Sequence, residues 1–177
     1  MKLNLGCGYD CRKGWVNLDR EKRDGVDIVH DLNKLPLPFE NEKFDYVLCQ
    51  DVLEHVNIIP LMNEIHRILK KGGILKIRVP HFTSTLNYED PTHKNQFSIR
   101  TFDYFIEKVD FSYEREIKSF SKISKKLIFY KKKNIFLRII NRFLENWINK
   151  SEERQIMYET TFLRIIPTIN IEIKLIK

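Results

Sequence analysis

Cysteine and glycine are scarce in this sequence, and long apolar runs are absent. The three cysteines, Cys7, Cys11 and Cys49, form an odd set without paired metal-ligand spacing. Cys7 and Cys11 alone offer two of the four ligands of a structural zinc site, so reduced thiols in a cytoplasmic protein are the reading adopted. No apolar stretch approaches the roughly 20 residues of a membrane-spanning helix. Met1 leads almost at once into a polar, glycine-containing segment, so no secretory leader is expected. Repeats, low-complexity tracts and linkers are missing as well. The length of 177 residues suits one core, a single domain over residues 1–177.

What is present is unevenly charged. Residues 1–105 carry 15 basic and 15 acidic side chains, so the whole excess of +7 falls in residues 106–177. Such asymmetry can mark a surface for nucleic acid or an acidic partner. Here, however, Lys125, Lys126 and Lys131–Lys133 flank the apolar stretch Leu127–Tyr130. That is the pattern of a solvated strand edged with lysine, which blocks aggregation. The arginine-rich, aromatic-interleaved run of a nucleic-acid surface is not there.

Leu3–Leu5 is a short apolar strand running straight into Gly6-Cys7-Gly8. Trp15–Leu18 reads as a second strand ending at Asp19, and Asp27–His30 as a third ending at Asp31. Phe44–Cys49 is apolar with a single acid, the pattern of a strand buried on both faces. The spacing of Leu61, Ile65, Ile68 and Leu69 predicts a helix over Ile58–Lys71, ended by Gly72-Gly73. Ile74–Val79 is a fifth strand, stopped by Pro80. Strands alternating with helices indicate an α/β fold with a mostly parallel sheet. The first connections are short for parallel crossovers, which take about a dozen residues. Either the first crossover helices are clipped to turns, or the third segment is not a true strand.

The tail has another period. Thr168–Lys177 alternates strictly, with Ile169, Ile171, Ile173 and Leu175 on one face, as in an antiparallel strand with one solvated side. Glu114–Tyr130 should supply one or two further strands. Phe136–Ile148, with Leu137, Ile140, Phe143, Leu144 and Trp147 on one stripe, should be a helix.

Glycine lets a backbone turn sharply after a buried strand and lets a ligand approach the main chain. Gly6 and Gly8 supply two such positions, but Cys11 stands where a dinucleotide fingerprint has its third glycine. Asp19 ends the next strand, where a carboxylate can accept both hydroxyls of a ribose. Asp31 ends the third, where an acid can meet an adenine amino group. Each aspartate could equally be a turn cap; their order at successive strand ends is what points to a site.

With these residues in place, the sequence resembles the class I S-adenosylmethionine-dependent methyltransferases, especially the group with a Leu-Glu-His-Val motif. Leu3-Asn4-Leu5-Gly6-Cys7-Gly8 resembles their first motif, and Asp19 their ribose-binding acid. Asp31-Leu32 is similar to the pair bordering adenine, and Phe44–Gln50 with the adjoining Val52-Leu53-Glu54-His55-Val56 to their fourth strand and its loop. Glu64–Gly73 resembles the helix and glycine turn before their fifth strand. The resemblance covers about residues 2–80 and is architectural beyond Phe111. It implies a Rossmann-like sandwich with an antiparallel C-terminal strand and abbreviated N-terminal helices. It further implies S-adenosyl-L-methionine as cofactor, held by Leu5, Gly6, Cys7, Gly8, Asp19, Asp31, Leu32, Gln50, Asp51 and His55. Asn4 departs from the acid many members carry there. Helices that often cover the cofactor do not precede the first strand, so cover is expected from the C-terminal region, a second subunit as in a homodimer, or the substrate.

Loops at the carboxyl end of an open α/β sheet carry substrate-facing groups. Pro80–Lys94 concentrates His81, Glu89, Asp90 and His93. His93, His81 and Asp90 are therefore the candidate catalytic residues, as a general base where the acceptor needs one. These three are also suitable ligand types for a divalent ion, but no metal is expected. The alternative is that Asp90-Pro91 opens a turn, His93 caps a helix near Ser98–Lys108, and Glu54-His55 is a helix N-terminal pair. The expected activity is methyl transfer to a small-molecule or saccharide-type acceptor. The other readings are a nucleic-acid methyltransferase or binding module using the basic tail, and an inactive cofactor-binding partner subunit.

Overall fold

The computed structural model describes residues 1–106, 119–130 and 135–177. Its strands are β1 (Lys2–Leu5), β2 (Val16–Asp19), β3 (Ile28–Val29), β4 (Phe44–Gln50), β5 (Leu69–Pro80), β6 (Ser121–Phe129) and β7 (Thr168–Ile176). The helices are α1 (Ile58–Ile68), the single turn α2 (Leu86–Glu89), α3 (Ile135–Ile148) and α4 (Glu152–Thr160). The strands form one sheet in the order β3-β2-β1-β4-β5-β7-β6. β1 to β5 are parallel, and β7 pairs antiparallel with both β5 and β6. This is the expected Rossmann-like arrangement with an antiparallel C-terminal strand. The expectation for Glu114–Tyr130 resolves into β6; residues 114–118 lie outside the described residues.

The short crossovers are explained by polar pinning rather than by helices. No helix separates β1 from β2 or β2 from β3. Instead, buried Asn4 donates to the Asp10 carbonyl at 2.7 Å. Buried Asn17 accepts from Arg12 N at 2.8 Å and donates back to Arg12 O at 3.1 Å. Two amides thus hold the 9–15 loop from beneath. Asn4 can donate to a carbonyl where an ionised acid could not. β3 is a true parallel strand, but only two residues long.

The helix forecast over Ile58–Lys71 ends early. α1 stops at Ile68, and Leu69–Lys71 already belong to β5, where Leu69 sits opposite Phe44. Gly72-Gly73 therefore do not cap the helix. Gly72 adopts φ +74°, and a Cβ at Gly73 would lie 2.8 Å from the Lys70 carbonyl. The pair forms an irregularity in β5 that passes the chain closely by itself. The Gly72 N–H donates to Lys177 O and Lys177 N–H to Gly73 O, which anchors the chain's last residue there.

Helix α3 forms over Ile135–Ile148, as the spacing predicts. Its apolar stripe is split: Leu144 and Trp147 pack on the core, whereas Leu137 and Phe143, with Ile135 and Ile139, are exposed, and Asn141 is buried. β6 is the sheet's outer strand, and its free backbone groups need partners. Asn141 donates to Tyr130 O at 2.9 Å, and Glu145 accepts from Phe129 N at 2.8 Å. Asn149, just beyond the helix, both accepts from Leu127 N and donates to Leu127 O at 2.8 Å. From Glu145 to Asn149 the chain advances about 6 Å, which matches the two strand residues from Phe129 to Leu127 at about 6.6 Å. The polar face is consumed by the strand edge, so most of the apolar arc looks outward; only Leu144, Trp147 and Ile148 reach the core.

Candidate functional site

The site is built where β1, β2 and β4 end side by side. The chain leaves buried Leu5 and turns at Gly6 (φ +68°) and Gly8 (φ +51°). Gly6 and Cys7 N–H both donate to Leu18 O, at 2.8 and 3.0 Å, tying the turn to β2. A Cβ at Gly6 would collide with Val52, whereas at Gly8 it would meet nothing within 4 Å. Gly6 is thus required by packing, and Gly8 presents bare backbone to open space. Asp19 Oδ2 accepts from Gly8 N at 2.8 Å, and its Oδ1 from Glu21 N at 3.0 Å, with Arg23 at 3.3 Å. A carboxylate offers about four acceptor positions, so capacity for a ligand hydroxyl remains. These features fit the nucleoside end of the cofactor that the sequence implies.

The remaining candidates surround this turn. Cys7 is buried, and burial together with Cys11 pushes its thiol up to about 12. Gln50 Oε1 accepts from Arg12 at 3.0 Å. Asp51 (φ +53°) pairs with Arg78. Asp31 lies just past β3, where Asn33 N–H donates to its carboxylate at 3.0 Å and holds it below the usual range; Leu32 beside it is buried. Asp31 thus forms a turn, while its place at a strand end is as expected.

Glu54 and His55 lie in the turns between β4 and α1, not in a helix N-terminal pair; α1 begins at Ile58 with Asn57 as N-cap. The 92–95 segment docks on them. Lys94 N and Asn95 N both donate to Glu54 O, and Asn95 Nδ2 donates to Leu53 O and Val56 O. This docking buries Glu54 to 1% exposure, and burial pushes its carboxyl up to about 7. Its Oε2 has no hydrogen-bond partner, and neither has the buried Nδ1 of His93. The His55 and His93 rings meet edge to face with centroids 4.7 Å apart. Burial, then the neighbouring His93, pushes the His55 pKa down. Asp90 accepts from Thr92 Oγ1 at 2.7 Å and from Thr92 N at 2.8 Å, bonds that hold its carboxyl low. Thr92 Oγ1 is in turn 3.0 Å from His55 Nδ1.

The structure therefore brings His93 and Asp90 together with His55, and separates His81 from them. His81 is wholly buried, with Nε2 at 2.8 Å from Glu159 Oε1 and Nδ1 at 2.8 Å from Thr83 Oγ1. Glu159 also accepts from Ile99 N and from Ser98 Oγ. Desolvation pushes the Glu159 carboxyl up, but these bonds outweigh it and hold it low. His93 does not cap a helix: within the described residues of Ser98–Lys108 the chain forms a short 3-10 turn, Thr101–Phe105. Glu54 is the residue that sequence reasoning passed over. Its one signal was an acid inside the otherwise apolar Val52–Val56 motif.

Comparison with known proteins gives a family match over residues 4–77, to the methyltransferase domain. An uncharacterized protein of Methanocaldococcus jannaschii is 49% identical over 104 residues, covering 49% of this chain and 44% of its own length. The chain thus spans less than half of that curated relative. Among solved structures, a SAM-dependent methyltransferase from Archaeoglobus fulgidus aligns over 99% of this chain and 85% of its own, with TM-score 0.57 and 17% identity. Haemonchus contortus phosphoethanolamine N-methyltransferase 2, in complex with S-adenosyl-L-methionine, aligns over 99% and 48%, with TM-score 0.55 and 20% identity.

Proposed function

We propose, from its fold and its match to the methyltransferase domain over residues 4–77, that the chain is a class I S-adenosylmethionine-dependent methyltransferase and transfers a methyl group to a small-molecule or saccharide-type acceptor. One observation carries the cofactor assignment: the Gly8 N–H to Asp19 bond of 2.8 Å, which locks an open glycine turn to an acid at the next strand's end. The cofactor, when bound, supplies a methyl group on an electrophilic sulfonium. The backbone at Gly6–Gly8 receives it, Asp19 takes a ribose hydroxyl, Asp31 and Leu32 border the adenine, and Leu5, Cys7, Gln50, Asp51 and His55 line the crevice. What the protein adds is alignment, worth about 7–11 kcal/mol at best. A proton from the acceptor goes to His93, whose position beside His55 and Asp90 supports that role. His81 acts at one remove, by positioning the loop that carries His93.

Ion pairing supports a compact acceptor over nucleic acid. Buried Lys125 pairs with Asp103, and Lys177 with Glu42, acids outside the tail, so part of its basic excess is neutralised internally. Incubating the protein with methyl-labelled cofactor and separate metabolite, glycan and RNA pools tests the acceptor class. Label is expected in metabolites or glycans, and His93→Ala should lower the rate roughly a hundredfold with cofactor affinity unchanged. Label in RNA would replace this reading with the nucleic-acid one. Cofactor binding without label in any pool would indicate the inactive partner subunit.

A further inference from the structure

Among the described residues, one group outside the glycine turn has the composition of a metal centre. A carboxylate oxygen of Glu54 and one ring nitrogen each of His55 and His93 all lie within 4.8 Å of one another. We propose that Glu54, His55 and His93 bind a divalent transition-metal ion at the mouth of the methyl-transfer crevice, leaving coordination positions open for an oxygen of the acceptor. As to its use, this rests on the methyltransferase reading; the ion site itself does not.

The unpaired atoms carry the argument. A buried polar atom without a partner costs about 1–3 kcal/mol, and more when charged. Two such atoms, Glu54 Oε2 and His93 Nδ1, belong to this one cluster. Glu54 is 1% exposed and the His93 side chain 10% exposed. An ion would satisfy both at once.

The surroundings prepare the third ligand. Thr92 Oγ1 donates to Asp90, so it must accept from His55 Nδ1–H. That fixes the His55 tautomer and leaves Nε2 with its lone pair free. A ligating imidazole whose other nitrogen is tied through a hydroxyl to a carboxylate is the usual outer-shell arrangement of metal-bound histidine. In His93 the buried nitrogen without a partner is Nδ1, which makes it that ring's ligand atom. Two imidazoles and one carboxylate suit zinc or ferrous iron and leave at least one position open. With bonds of about 2.0–2.1 Å, tetrahedral ligand atoms sit about 3.4 Å apart. Loading therefore asks for a closure of at most about 1.4 Å. With the ion bound, His93 serves as a ligand in place of a base: the ion itself makes an acceptor hydroxyl lose its proton more readily, and that proton passes to water, which suits an oxygen acceptor.

Cobalt(II) titrated into chelator-treated protein, without cofactor, tests the site. One equivalent should bind with visible d–d absorption and be displaced by zinc. X-ray absorption of that complex should report two imidazole nitrogens. Glu54→Gln and His93→Ala should each weaken binding at least tenfold, while His30→Ala leaves it unchanged. Absence of saturable binding to the unaltered protein overturns the proposal, as does a cobalt spectrum without two imidazoles. Folded variants that bind as tightly as the parent overturn it too. Cobalt binding by a protein that fails to bind S-adenosylmethionine would instead break the methyltransferase reading and keep the ion site.

Discussion

The two ends of the sheet solve opposite problems. At the β1–β2–β4 end, parallel strands finish together and expose backbone to a ligand, and polar side chains are spent on shaping turns. At the β6 edge, an outer strand must be closed off, and the polar face of α3 is spent on its backbone groups. The first arrangement leaves open space beside Gly8. The second leaves apolar side chains, Ile139 and Phe143, exposed. Where a protein places its polar side chains against its own backbone decides which face it presents outward.

The contrast predicts a graded set of effects. Gly6→Ala should be the most damaging, at about 3 kcal/mol or more, because a Cβ there is both strained at φ +68° and in collision with Val52. Gly8→Ala should cost only about 1 kcal/mol of stability yet weaken cofactor binding, since nothing within the protein opposes its Cβ. Thermal midpoints and calorimetric titrations on the two variants separate fold from ligand. Equal stability losses would erase the distinction drawn between the two glycines.

Glu54 comes next. Burial raises its carboxyl pKa in the folded state from 4.5 to about 7. An acid whose folded pKa is raised stabilises the fold fully below its unfolded pKa and loses that contribution as pH rises through the folded value. In metal-free protein, Glu54→Gln should therefore raise stability at pH 8 by about 3 kcal/mol relative to pH 4. A pH-independent difference would contradict a desolvated carboxylate.

The edge strand gives the smaller effects. Asn149→Ala leaves both backbone groups of Leu127 without their partner and should cost about 1–2 kcal/mol, with cofactor affinity unchanged. Denaturant midpoints read this directly. Phe143→Ser, on the exposed arc, should stay within about 0.5 kcal/mol of the parent. A loss of several kcal/mol there would mean that the apolar face is packed after all.

Much of the first region was legible in the sequence, because it depends on local order. A glycine pair after an apolar strand, then acids at successive strand ends, needs no distant partner to be read. Gly72-Gly73 misled because glycines after a basic helical turn mark a helix end and a strand irregularity alike; the pairing of Leu69 with Phe44 decides. The orientation of α3 could not be read from amphipathy. Its partner is a strand edge that needs hydrogen bonds, so the polar side packs. Glu54 was hidden for a third reason. Its burial comes from Lys94 and Asn95 docking on its own carbonyl, a contact between segments far apart in the chain.

The central claim is that the Gly6–Gly8 turn and Asp19 form one cofactor site. Isothermal titration of S-adenosylhomocysteine into the parent and into Asp19→Ala measures it directly. Saturable binding to the parent, weakened at least tenfold in the variant (about 1.4 kcal/mol) while the variant keeps its fold, is the predicted result. Equal affinity in the two proteins would contradict it.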